Sequence, residues 1–138
     1  MSKVKLSNRR LLEDRNALME VSKKQLPVKV SYAIAKNLSR VNRELKVYDS
    51  ERQKLIEKYS FKDLKGNPIA DERGQIKFQD QKGWEKDIKD LLDIENEIDI
   101  HTFPMKLLEP FNISPAEIMA MDYMIKDDEN TEQEKKEK

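Results

Sequence analysis

Residues 28–59 read VKVSYAIAKNLSRVNRELKVYDSERQKLIEKY, and the pattern of this stretch decides the fold. Ile34, Leu38, Val41, Leu45, Tyr48, Arg52, Leu55 and Tyr59 recur at spacings of 4, 3, 4, 3, 4, 3 and 4. Such spacing lines up one narrow stripe on an α-helix, whereas a half-buried strand needs a period of two. Only Arg52 departs from the apolar type. No Gly or Pro interrupts from Val28 to Tyr59, so the stretch predicts one coiled-coil-like helix. At 1.5 Å per residue it is about 48 Å long. A helix of that length with so narrow a stripe needs a partner to cover it.

The flanks supply candidates. Upstream, Pro27 disfavours helical geometry at Leu26 and suits the first turn of the following helix. Before that break, Ser7 or Asn8 is placed to cap a helix reaching about Lys24. Leu11/Leu18 and Leu12/Met19 form its stripe. Downstream, Trp84, Ile88, Leu91, Glu95 and Ile98 repeat the helical spacing, with Leu92 widening the stripe and Glu85, Asp87, Asp90, Asp93 and Glu97 on the outside. Two such helices joined by a connection are expected to pack antiparallel within the chain. The competing arrangement pairs the long helix with its own copy in a homodimer.

The intervening connection, Pro68-Ile69-Ala70 and Gln75-Ile76-Lys77-Phe78 around Asp71-Glu72-Arg73-Gly74, reads as a small β-hairpin with Gly74 in the left-handed position. A disordered tip is the alternative. Glu97 to Phe103 alternates with period two and is expected to pair with the alternating opening Lys3–Leu6 as a two-stranded sheet. Ser114, Pro115 and Glu117 compose a helix start with a capping box, and Ile113 and Ile118 are spaced for a hydrophobic staple. Ile118, Met121 and Ile125, with Met124 beside them, are expected to form the buried stripe of the last helix. The fold class is therefore mainly α: a long antiparallel helical hairpin plus N- and C-terminal helices, with a small β-hairpin and a two-stranded sheet. Residues 1–126 are expected to form one domain. From Asp127 to Lys138 there is no apolar side chain, and a disordered acidic tail is expected.

Composition narrows the function. Hydrophobic residues make up 37% and charged residues 39%, so apolar side chains must lie on stripes rather than in a thick sandwich core. With no Cys, disulfides and thiolate metal sites are excluded. No apolar run is long enough to span a membrane, and the opening Met-Ser-Lys-Val-Lys has no long apolar core, so a cytosolic location is expected. The formal net charge of zero hides a gradient: net +8 over residues 1–59, −5 over 60–126 and −3 over 127–138. A basic first part and an acidic second part suit a chain that folds back on itself.

Catalytic chemistry finds little footing. His101 is the sole histidine. Glu97, Asp99 and His101 share one face of the expected strand, which is metal-ligand chemistry in principle, but a strand with one wet face reads the same way. Three isolated glycines build no phosphate-cradling loop, and no nucleophile elbow is present. No catalytic residue, cofactor or metal is expected. Lys29, Lys36, Arg40 and Arg43 lie on one side of the long helix, opposite its stripe, and form the candidate partner or nucleic-acid surface. No aromatic residue is apparent among them, and Glu44 and the acidic tail compete for the same cations. Met119, Met121 and Met124 suit either core filling or a partner groove, and Trp84 either a structural anchor or a binding hot spot.

Leu26-Pro27-Val28-Lys29-Val30-Ser31-Tyr32-Ala33-Ile34-Ala35-Lys36-Asn37, with Glu44–Tyr48, Arg52–Tyr59, Glu97–Ile100 and Ile113–Glu117, resembles a family of small uncharacterised proteins of phages and prophages of Gram-positive bacteria. The likeness covers most of residues 3–126. It implies a phage origin, brings no known activity and carries no catalytic residues over. The expected function is that of a phage accessory protein, non-catalytic, working in the host cytoplasm or in association with the virion. It would bind a phage or host protein, in virion or tail assembly or as a modulator of a host or anti-phage defence protein. The rival expectation is nucleic-acid binding through the basic stripe.

Overall fold

The computed structural model describes residues 2–126; the acidic tail expected at 127–138 lies outside them. The chain is mainly α with minor β. Strand β1 (Ser2–Ser7) leads directly into helix α1 (Asn8–Ser22), because Ser7 stays extended and its hydroxyl oxygen accepts the Arg10 N–H at 3.1 Å. Leu11, Leu18 and Val21 bury the inner face of α1. Leu12 is only half-buried and Met19 exposed, so the second seven-residue pair marks the edge of the stripe rather than its centre.

Helix α2 (Val28–Tyr59) is unbroken over 32 residues. Its buried positions are Val30, Ala33, Ile34, Asn37, Val41, Leu45, Tyr48 and Ile56. The expected seam is therefore broader at its start and thinner at its end, where Arg52, Leu55 and Tyr59 are only half-buried. The reason lies in what covers it. Helix α3 (Gln81–Leu92) has 12 residues, and Glu95 and Ile98, read above as continuing its seam, belong to strand β2 (Glu95–Ile100). The end of α3 is tied off by α1, since Asn8 donates its side-chain amide to the Leu91 carbonyl at 2.8 Å and its backbone N–H to the Ile94 carbonyl at 3.0 Å. From Glu95 the backbone gains a full ladder instead. The stripe of α2 is thus shared among α1, α3 and β2 rather than matched to one helix.

Strands β1 and β2 pair antiparallel, from Ser2 opposite Ile100 to Ser7 opposite Glu95. The pairing agrees with the alternation of the two segments, but the second strand starts at Glu95 and stops at Ile100, not Phe103. Ile98 and Ile100 face the core, and Glu97 and Asp99 face out. A second, parallel pair that the pattern did not show joins strand β3 (Phe103–Pro104) to strand β4 (Ile125–Lys126). The fully buried Asn37 of α2 holds the link between the two sheets. Its side chain accepts the His101 N–H and donates to the His101 carbonyl, both at 2.9 Å. A break in regular structure is thereby anchored to the longest helix, with both backbone groups of His101 paired.

Helix α4 (Pro115–Ala120) begins with the capping box its sequence announces: the Ser114 hydroxyl accepts from the Glu117 N–H at 3.2 Å and Glu117 accepts from the Ser114 N–H at 3.0 Å. The helix is shorter than expected. It ends at Ala120, and a 3-10 turn, Asp122–Met124, carries the chain into β4. Met121 and Met124 are fully buried, so these two methionines fill the core, while Met119 stays exposed. No helix among the described residues is long and apolar enough to cross a membrane.

Candidate interaction surfaces

Two surfaces stand out, one on each half of α2. The first is the basic face. Lys29, Lys36 and Arg43 are exposed along α2, one every second turn, and none of them takes part in an ion pair among the described residues. Arg40 has a different duty. Its guanidinium donates to the Asp99 carbonyl, tying β2 to α2. The four cations read as one stripe thus divide into three outward and one that helps build the fold.

Contrary to the reading that the stripe lacks aromatics, Tyr32 sits in it. It is 55% exposed, with the Lys36 ammonium 5.6 Å from its ring centroid and the His101 ring edge-on at 5.7 Å. His101 comes from the link between the two sheets, and Tyr32 from one turn before Lys36. The spacing of Tyr32, four residues from Lys36, was a legible signal; the approach of His101 was not. Desolvation holds the His101 imidazole below its ordinary value, and the positive charges of Arg40 and Lys36 push it the same way. On its other border the face meets acids: Arg40 and Arg43 share a small concavity of about 160 Å³ with Glu44, Glu97 and Asp99.

Glu97, Asp99 and His101, which share metal-ligand chemistry in principle, are not brought together. Glu97 pairs with Lys3 at 3.5 Å, Asp99 is exposed, and His101 lies beyond the end of β2 against Tyr32. Among the described residues no group of three or more His, Asp and Glu side chains is arranged to hold a metal ion.

The second surface is the end of the α2–α3 connection, residues 60–84. The expected hairpin is present as the Ala70–Ile76 pairing, with Gly74 at φ +79, but it is one part of a three-segment unit. A second turn of the same design precedes it. Asp63 and Asp71 each accept two backbone N–H groups, from Lys65 and Asn67 and from Arg73 and Gln75, all at 2.9 Å. Gly66, at φ +84, supplies the left-handed position in the first turn as Gly74 does in the second. The three segments close on one another: Phe61 N–H donates to Lys77, Lys77 N–H to Ile69 and Ile69 N–H to Phe61, each at 2.9 Å. Each segment pairs with both others at this level, and the unit is held by turns and backbone bonds without a deep core.

Its outer side carries apolar side chains set among polar ones. Phe78 and Trp84 stack at 4.4 Å between ring centroids, 14° from parallel. They line an open groove of about 790 Å³ with Phe61 and Ile76, which Arg52 and Lys77 border with positive charge and Asp71 with negative. Phe61 is exposed, and Leu64 at the apex of the first turn is wholly so, at 108% relative accessibility. The unit is fastened to α2 by close packing. Tyr59 donates its hydroxyl to Asp87 at 2.5 Å, and a Cβ on Gly83 would stand 2.7 Å from the Tyr59 ring and 2.4 Å from Asp80 Oδ2. The pattern of Trp84 pointed to this end of the molecule; the roles of Phe61 and Leu64 carry no periodic signature.

Compared with known proteins, the chain matches no family model, no curated protein and no solved structure.

Proposed function

We propose that the protein is a non-catalytic accessory protein that binds another protein through the apolar end of its α2–α3 pair. We read that pair as a helical hairpin within one polypeptide, serving as an arm that carries the 60–84 unit. The observation that supports the reading is Leu64, an apolar side chain held fully in water at the apex of a hydrogen-bonded turn, three residues after exposed Phe61. Leu64 contributes nothing to the core. Burying one such side chain in a partner is worth about 1.5–3 kcal/mol. Lys62 and Lys65 flank Leu64, while the carboxylate between them, Asp63, is spent on backbone N–H groups. The fitting partner presents an apolar recess with an acidic rim.

The sequence resemblance supports a phage setting, with the partner a phage protein in virion or tail assembly or a host protein, including one of a defence system. A photo-crosslinking residue placed at Lys65 in cells making the full chain tests the docking. A crosslinked product that disappears when Leu64→Asp is added, with circular dichroism unchanged, is the expected result. Crosslinks of equal yield in both chains would count against the reading, since Leu64 would then have no part in them.

A further inference from the structure

We propose that the outward face of the first half of α2 binds single-stranded nucleic acid, with Lys29, Lys36 and Arg43 on phosphates and Tyr32 stacking one unpaired base. The inference is independent of the protein-docking reading, since it uses the other half of α2. Three observations carry it together. The three cations are exposed, unpaired among the described residues, and spaced along about 21 Å of helix. A half-exposed aromatic ring lies within the row, where it touches Lys36 and the edge of His101 and is not covered by the core. Finally, the His101 ring packed against Tyr32 is held below its ordinary value first by desolvation, and Arg40 and Lys36 stand close enough to push it the same way.

These features assort by role. Phosphates need cations along a line, which α2 supplies at every second turn. A base needs a flat π surface, and any base has one, so a lone tyrosine stacks without reading sequence. On binding, the Lys36 ammonium leaves the Tyr32 ring for a phosphate and the base takes its place over the ring. A duplex keeps its bases stacked inside and cannot use Tyr32 in this way. Arg40 remains on the Asp99 carbonyl and is not assigned to the ligand. Glu44, Glu97 and Asp99 bound the face on one side and confine the strand to the Lys29–Lys36–Arg43 line.

Fluorescence anisotropy of a labelled twelve-nucleotide DNA strand against the full chain tests this. The full chain is used because residues 127–138 add six acids and three lysines. Saturable binding is expected at low salt, weakening about twentyfold between 50 and 200 mM salt for three neutralised phosphates. Tyr32→Ala is expected to weaken it about tenfold and Tyr32→Phe hardly at all. Lys29→Glu with Lys36→Glu and Arg43→Glu is expected to abolish it, without unfolding because all three side chains are exposed. The resonance of the single histidine, His101, is expected to shift on titration with the strand. Absence of binding at low salt overturns the proposal, as does equal binding by the triple variant, by Tyr32→Ala, or by the same sequence as a duplex.

Discussion

The two halves of α2 share one helix and one apolar period, yet they do opposite things with it. From Val30 to Tyr48 seven residues are buried in under six turns, and Leu38 is half-buried beside them. From Asp49 to Tyr59 only Ile56 is buried, and Leu55 opens onto a groove shared with Glu51, Asp87, Asp90, Leu91 and Ile94. The first half is wrapped by α1 and strand β2, with Asn37 bonded to the link beyond β2. The second half is met by the short α3 and then by a unit whose order comes from turns and backbone bonds. Periodicity therefore says which face of a helix is apolar, and the number of neighbours decides how deeply that face is buried. The well-wrapped half holds most of the buried positions of α2, and the thinly wrapped half leaves apolar side chains near the surface.

Substitutions should separate the halves by size and by extent. Leu45→Ala, at the centre of the wrapped half, leaves a cavity and is expected to cost about 2–5 kcal/mol, lowering the denaturant midpoint of the whole chain as seen by circular dichroism. A loss under 1 kcal/mol would mean the wrapped half is loosely packed after all. Gly83→Ala places a methyl group against Tyr59 and Asp80 and is expected to cost about 1–3 kcal/mol. Trp84 fluorescence should report that loss before circular dichroism does, because the 60–84 unit loosens first. Coincident transitions by both probes would show that the two halves unfold as one.

Ser114→Ala removes one bond of the capping box on the wrapped side and is expected to cost about 1 kcal/mol. The same box has a signature in acid. The backbone N–H of Ser114, helped by Lys24, holds the Glu117 carboxyl below its ordinary 4.5 despite burial. A depressed carboxyl stabilises the fold above its unfolded value, and that contribution is lost as pH falls from 4.5 through the lower folded value. The stability difference between the wild-type chain and Glu117→Gln should accordingly shrink across that acid range and stay flat above it. A difference that grows in acid would reverse the sign assigned here.

Much of this was legible in local chemistry. Val28–Tyr59 contains no breaker, Ser7 and Ser114 are capping residues in the right places, and the alternation in Lys3–Leu6 and Glu97–Ile100 matches strands that do pair. The basic face is legible as a row of cations, and the spacing of Tyr32, four residues before Lys36, places it on the same face. The errors fell where two local patterns competed. Glu95 and Ile98 fit both a helical seam and a strand, and a ladder with β1 won because it satisfies the backbone of both segments at once.

By itself the sequence determined the long helix, the caps, the charge gradient and the alternation of the paired strands, since each depends on residues within a few positions of one another. Tertiary structure alone decided that α2 is covered by several elements, that Asn37 bonds across to His101, and that Phe61 and Leu64 remain in water. Those outcomes depend on groups far apart in the chain arriving at the same place, and no local spacing encodes which distant neighbour will arrive, or whether one will.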